Sequence, residues 1–375
     1  MIERTIQKHI EENLFRGKVM VIFGTRRVGK TTLVRQILNR YQTLGKRCAY
    51  FNCESFDVRE KIETTNFQKI EAFLKPYDLI ALDEAQYIET IGRSLKIMVD
   101  THPEVQIIAT GSSSFDIANK TGEPLVGRAR HYTLYPFSLK EFSNEVITLS
   151  SNLEKFLRFG LYPTVISAID PAEELRDIVG GYLYKDILAI EGMKSSKLLI
   201  DLLKLLALQL GSEVSYNELS NNLGIGISTV IKYIDLLERC FIVFTLPAFS
   251  RNLRNEVGRK SKKIYFYDLG VRNAIINAFA PLDMRADVGA LWENFCIVEL
   301  MKKAQNNRQF SNNYFWRTYD QQEVDFIEEY DGVLHAYEFK YSAKAKVKPP
   351  KLFLETYPSE FTVIIRDNWY EKLGK

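Results

Sequence analysis

At 375 residues the chain exceeds what one hydrophobic core usually organises, so two or three domains are expected. Hydrophobic residues make up 46%, ample for folded cores, and 50 basic against 47 acidic side chains leave a net charge of +3, so bulk electrostatics does not demand nucleic acid and any DNA contact must come from a local patch. The start Met1-Ile2-Glu3-Arg4-Thr5 lacks the apolar core and cleavage site of a secretory signal, and no apolar run is long enough to span a bilayer, so a cytoplasmic protein without a membrane partner is expected.

An amphipathic helix opens the chain. The apolar run Val19-Met20-Val21-Ile22-Phe23 then predicts a strand, followed by Gly24-Thr25-Arg26-Arg27-Val28-Gly29-Lys30-Thr31-Thr32 and a helix over Lys30–Tyr41. Strand, glycine-rich turn and helix start, in that order, are what hold a nucleoside triphosphate, so ATP and Mg²⁺ are the expected ligands. Gly24 and Gly29 let successive N–H groups point inward at phosphate oxygens, Lys30 reaches the β- and γ-phosphates, and the Thr31 hydroxyl takes one site on Mg²⁺. Thr32 continues the helix.

Strands are predicted at Cys48–Asn52, Leu79–Asp83 and Gln106–Thr110, with a helix over Phe67–Leu74. Alternating strand and helix argue for a parallel sheet wrapped by helices. The strand ending in Asp83 and Glu84 suits a parallel neighbour in the same sheet; Asp83 is expected to hold Mg²⁺ through its water shell, and Glu84 to orient and deprotonate the attacking water. After Thr110 the turn Gly111-Ser112-Ser113-Ser114 places Ser112 or Thr110 to sense the γ-phosphate; the other reading is a serine cap on a helix at Phe115–Asn119. Arg128 and Arg130 stand on or beside the next loop, either as a finger arginine offered to a neighbouring subunit's nucleotide or as surface ion-pair partners.

These residues carry a resemblance. Gly24–Thr32, Leu82-Asp83-Glu84-Ala85-Gln86, Ala109-Thr110-Gly111-Ser112-Ser113, Gly127-Arg128, Leu134-Tyr135-Pro136-Phe137-Ser138 with Glu141-Phe142, Gly160-Leu161-Tyr162-Pro163 and Leu183-Tyr184-Lys185-Asp186-Ile187 resemble the prokaryotic ATPases that join an AAA-type P-loop domain to a C-terminal domain. The resemblance spans nearly the whole chain and implies an AAA-like ATPase fold, but little about the physiological substrate. Thr25-Arg26-Arg27 replace the proline and glutamine often found in that loop, leaving these side chains' roles open.

Further on, Ser215–Gly224 and Ser228–Leu237 read as helix, turn, helix, with Gly224 closing the first helix, Ser228 capping the second, and Leu219, Leu223, Val230, Ile234 and Leu237 facing inward. Phe241-Ile242-Val243-Phe244 would begin a wing, so the segment resembles a winged helix. In a DNA reader Ser228, Thr229, Lys232 and Tyr233 would enter the major groove, with Arg251, Arg254 and Arg259 on phosphates; as a packing module it would serve as a lid or protein contact. A second chemical constellation is Glu293, Asp325, Glu338 and Lys340. Glu293 is expected on a helix, and Asp325 and Glu338 on strands of a hairpin turning at Asp331-Gly332, with Glu338 and Lys340 on one strand face. There Asp325, Glu338 and Glu293 would hold Mg²⁺, with Glu323 assisting, while Lys340 orients or activates water for phosphodiester cleavage. This order resembles the PD-(D/E)xK nuclease core, with Val324 where that name has proline. Acid–lysine surface pairing is the other reading.

Four cysteines, Cys48, Cys53, Cys240 and Cys296, show no metal spacing and are expected as buried thiols. The expected architecture is α/β: an AAA-like ATPase domain with a P-loop parallel sheet at 1–150, a helical and winged-helix middle at 151–260, and a restriction-endonuclease-like α/β domain at 261–375. Hydrolysis in the first would drive the others, acting on or near DNA, with a homo-oligomer or protein partner; the alternative is a nucleotide-controlled protein-binding switch whose nuclease-like fold is inactive.

Overall fold

The computed structural model describes residues 2–112, 125–183, 196–249, 261–318, 322–345 and 347–374. They form two compact units, one of Met1–Tyr135 with Arg239–Phe241, the other of Pro136–Glu238 with Ile242–Lys375. The expected helix at Phe115–Asn119, the motif residues Tyr184–Ile187 and the wing arginines Arg251, Arg254 and Arg259 lie outside the described residues.

In the first unit α1 (Thr5–Glu11), β1 (Val19–Phe23), α2 (Lys30–Thr43), β2 (Cys48–Asn52), α3 (Phe56–Ile62), α4 (Phe67–Leu74), β3 (Leu79–Asp83), α5 (Ile91–Thr101), β4 (Gln106–Gly111) and β5 (Ala129–Thr133) follow in order. The strands build a five-stranded parallel sheet in the order β2-β3-β4-β1-β5. β3 therefore shares the sheet with β1 but is not its immediate neighbour, because β4 lies between them. β1, β3 and β4 are mainly apolar and buried along their whole length because both faces are covered. Val19, Val21, Ile80, Leu82 and Ile107 pack with Leu95 and Met98 of α5 and Ile70 and Leu74 of α4. Met20, Ile22, Leu79, Ala81 and Ile108 pack on the other side with Leu33, Val34 and Ile37 of α2 and Ile6 and Ile10 of α1. This alternation leaves the carboxyl ends of β1, β3 and β4 at one edge, where loops meet.

The second unit is largely helical to Arg239. Ser215 caps the helix Tyr216–Leu223 by accepting the Glu218 N–H at 3.3 Å, and Gly224, left-handed at φ 64°, ends it. The next helix, Ile227–Arg239, starts one residue earlier than expected: the N–H groups of Thr229 and Val230 donate to Gly226 O, so Gly226 and not Ser228 is the cap. Leu219, Val230, Ile234 and Leu237 are buried, while Leu223 is only half-buried. β6 (Val243–Pro247) pairs antiparallel with β7 (Lys262–Phe266). That ribbon spans the expected division at residue 260, so a boundary there would separate two paired strands.

After the helix Val288–Asn306 come β8 (Asn312–Arg317), β9 (Glu323–Tyr330), β10 (Val333–Lys340) and β11 (Ser359–Ile365), in the sheet order β11-β10-β9-β8. β9 and β10 form the expected hairpin. Asp331 and Gly332 at its tip both have positive φ, 51° and 77°, the backbone a two-residue turn needs to match strand twist. Trp316, Val324, Ile327, Leu334, Ala336 and Phe353 fill one core of this unit. All four cysteines are free thiols; Cys53, Cys240 and Cys296 are buried, Cys48 partly so.

Candidate functional site

In the first unit the site grows from the ends of β1, β3 and β4. Gly24 follows β1 so closely against the next segment that a Cβ there would lie 2.4 Å from Leu134 O, a backbone atom that cannot yield cheaply. Gly29, at φ 101°, precedes α2, and Arg27 also holds positive φ, at 62°. Val28 is fully buried, which pins the loop from inside. Lys30 is 4% exposed, and its Nζ donates to Gly24 O at 2.9 Å and Thr25 O at 3.0 Å. Arg26 points away from the loop centre and donates to the Tyr87 hydroxyl at 3.1 Å.

Asp83 is the hub. Its Oδ2 accepts from the Thr31 hydroxyl at 2.7 Å and the Tyr50 hydroxyl at 2.5 Å, and its Oδ1 accepts from the Thr110 hydroxyl. Burial, with Asp83 beside it, pushes the Tyr50 phenol up to about 12, so it remains a donor. Thr110 also accepts the Glu84 N–H at 3.1 Å. Glu84 itself is left-handed, φ 54°, a conformation costly for a residue with a side chain. Its Oε2 accepts from Gln86 Nε2 at 2.5 Å, Gln86 also reaches Ser112 Oγ at 3.3 Å, and Lys30 Nζ stands 4.0 Å from Glu84 Oε1. The structure thus brings Gly24, Lys30, Thr31, Asp83, Glu84, Thr110 and Ser112 together in one connected array. Arg128 lies elsewhere on the unit, half-exposed, with Nε 2.6 Å from Asp100 Oδ1.

Three residues around this array are given no role by the sequence: Tyr50, Gln86 and Arg4. Arg4, 6% exposed, donates to Val28 O at 3.0 Å and Tyr135 O at 2.5 Å, tying the loop's interior to the end of the unit. Nothing in its local sequence marks it. Gln86, beside the two acids, was the one with a visible signal.

In the second unit Asp325, Glu338 and Lys340 do meet. Lys340 Nζ is 2.6 Å from Glu338 Oε1 and 3.9 Å from Asp325 Oδ2, and Asp325 accepts the Phe339 N–H at 2.8 Å. Burial first, then the charges of Glu293 and Glu338, raise Asp325 well above the usual carboxylate range. Burial likewise raises Glu338, against the pull of Lys340. Glu338 Oε2 is buried without a hydrogen-bond partner. Two crowded, hard-to-ionise carboxyls with an orphaned oxygen are a donor set a divalent cation would relieve. Glu293 is engaged otherwise: it accepts from Lys263 Nζ at 3.0 Å and the Tyr265 hydroxyl at 2.5 Å. Lys263, 3% exposed, also pairs with Glu323 at 2.6 Å. Burial opposes its charge, but Glu293 and Glu323 outweigh that and raise its pKa. Among the described residues no group of three or more His, Cys, Asp or Glu side chains is arranged to hold a metal ion. Lys263 and Tyr265 were not foreseen, since they stand outside the acid-lysine pattern on a strand with no motif.

On the helix Ile227–Arg239 Ser228 and Lys232 are exposed and Thr229 partly so, but Tyr233 is 3% exposed and packs inward, which removes it from any groove-facing set. Among the described residues no helix is long and apolar enough to cross a membrane.

Residues 16–143 match the family model of an AAA domain, whereas 150–282 and 288–371 match two models described only as domains of unknown function. Among curated proteins, an uncharacterized protein of Methanocaldococcus jannaschii is 26% identical over 316 residues, covering 73% of this chain and 65% of its own length. One from Haemophilus influenzae is 27% identical, covering 82% and 79%, and one from Mycobacterium tuberculosis is 26% identical, covering 90% and 73%. The chain spans less than two thirds of the first of these relatives. AMPPCP-bound DnaA from Aquifex aeolicus is 20% identical with a TM-score of 0.30, over 62% of this chain and 86% of that one, a superposition too loose to speak to function. The family match and the parallel sheet together describe residues 16–143 as an AAA-type domain.

Proposed function

We propose that the chain binds Mg·ATP at Gly24–Thr32 and hydrolyses it. The observation that carries this is the Asp83 carboxylate, fixed by the hydroxyls of Thr31, Tyr50 and Thr110 beside the buried Lys30 ammonium. Loop amides and Lys30 would bind the phosphates, which replace the Gly24 and Thr25 carbonyls as acceptors for Lys30. Thr31 and Asp83 would hold Mg²⁺, whose charge, when bound, offsets that of the phosphates. Glu84, held by Gln86, would orient a water and take its proton, and Ser112, bonded to the same Gln86, would report on the γ-phosphate side. Lys30→Ala should abolish ATP turnover; turnover that survives would show the assigned site to be wrong.

For the second unit the reading is a PD-(D/E)xK-like fold beside a winged-helix-like segment, acting on or near DNA. Asp325 and Glu338 would hold a divalent cation and Lys340 would orient water, supported by their mutual distances and by the orphaned Glu338 Oε2. The engagement of Glu293 by Lys263 and Tyr265 favours the other reading, a nucleotide-controlled protein-binding switch with an inactive nuclease-like fold. Labelled DNA incubated with Mg²⁺ or Mn²⁺ separates the two: cutting that Asp325→Ala abolishes supports cleavage, and intact DNA supports the switch. A finger role for Arg128 requires its pair with Asp100 to open when a second copy of the chain approaches.

A further inference from the structure

In the second unit a cavity of about 220 Å³ lies between the C-terminal half of the helix Val288–Asn306 and strands β9, β10 and β11. Glu328 of β9 lines it and is 4% exposed. Its Oε2 accepts from the Tyr337 hydroxyl at 3.1 Å, but its Oε1 is buried without a hydrogen-bond partner. An acceptor left in that state has lost its hydration without a replacement, so it needs an explanation. Lys303 faces the same cavity from the helix, with one proton on Lys372 O at 2.9 Å and others to give. The cavity therefore carries an acceptor on its strand wall and a donor on its helix wall, and Leu300, Ala304 and the Tyr330 ring also line it.

The charges of the lining offset one another, so the site selects neither sign of ligand charge. A cation would meet Lys303 and Lys372, and an anion would meet Glu328 and Glu371. Burial pushes Glu328 up to about 7 and lowers Lys303, the signature of a poorly hydrated site where a dipolar edge is cheaper to admit than an ion. We propose that this cavity binds a small neutral heterocycle through a lactam edge, its ring N–H donating to Glu328 Oε1 and its adjacent carbonyl accepting from Lys303 Nζ. Uracil-type bases have that edge. 3-Methyluracil lacks it, because a methyl group replaces the ring hydrogen that Glu328 would accept.

Uridine and 3-methyluridine form a matched pair for the test, titrated by calorimetry into the full chain at pH 8, where Glu328 is mostly ionised. The expected result is saturable uridine binding, at least about tenfold weaker for 3-methyluridine and weakened by about the same factor in Glu328→Leu and in Lys303→Met. No saturable heat with uridine would mean a cavity holding water alone and would overturn the proposal. Equal binding of both nucleosides would also overturn it, as would uridine affinity unchanged in the folded variants. None of these readouts depends on ATP turnover or DNA cleavage, so failure here is separable from failure of those assignments.

Discussion

Arg4 shows how a single side chain far from any motif can hold a nucleotide loop in shape. Its two donated bonds, to Val28 O and Tyr135 O, are made by a charged group in a buried setting, where each such contact is worth about 1.5–3 kcal/mol. Arg4→Ala should therefore cost roughly 2 kcal/mol in denaturant unfolding and weaken ATP binding, because Val28 O loses its donor inside the loop; unchanged affinity would mean that the loop holds its shape without Arg4. At Asp325 the prediction concerns pH. Its carboxyl is raised well above the ordinary aspartate range by burial and by the charges of Glu293 and Glu338, so the folded protein resists an ionisation that the unfolded chain accepts. Stability tied to this group thus falls as pH rises from about 4 through the raised value. Asp325→Asn, which keeps an acceptor for the Phe339 N–H, should gain thermal stability relative to the parent as pH rises, and a pH-independent difference would contradict the crowding of Asp325 with Glu293 and Glu338.

At the scale of elements, glycines and turns carried the most information. Gly24 shows why: the motif names it, and the structure supplies the reason, a Cβ clash with the Leu134 backbone. Gly24→Ala should cost at least about 1–3 kcal/mol and remove nucleotide binding, measured by thermal melting with and without Mg·ATP. β1, β3 and β4 were readable as mainly apolar runs because helices cover both faces, the more exposed β5 was not, and the β9–β10 hairpin was readable from Asp331-Gly332. Sheet order was not, since β4 slips between β1 and β3 through pairings that leave no local mark. The same limit explains Tyr233: periodicity alone put it on the outer face with Lys232, but the helix Ile227–Arg239 buries it beside Ile234, Leu236 and Leu237. Lys263 and Tyr265 were invisible for a related reason, because β7 meets Glu293 only in three dimensions.

For the whole molecule, the question is whether nucleotide state in the first unit matters to the second. Two compact units and separate matches to three family models describe a chain assembled from modules. If the modules are coupled through DNA, ATP turnover should rise when DNA is added, and Lys232→Glu should reduce that rise while leaving basal turnover intact; indifference to DNA would favour the protein-binding switch. All of this rests on nucleotide chemistry at the carboxyl edge of the first sheet. The direct measurement is Mg·ATP binding and turnover by the purified full chain beside its Lys30→Ala variant: the account predicts saturable binding and phosphate release in the parent and loss of turnover in the variant, and a parent chain that takes up no Mg·ATP would contradict it.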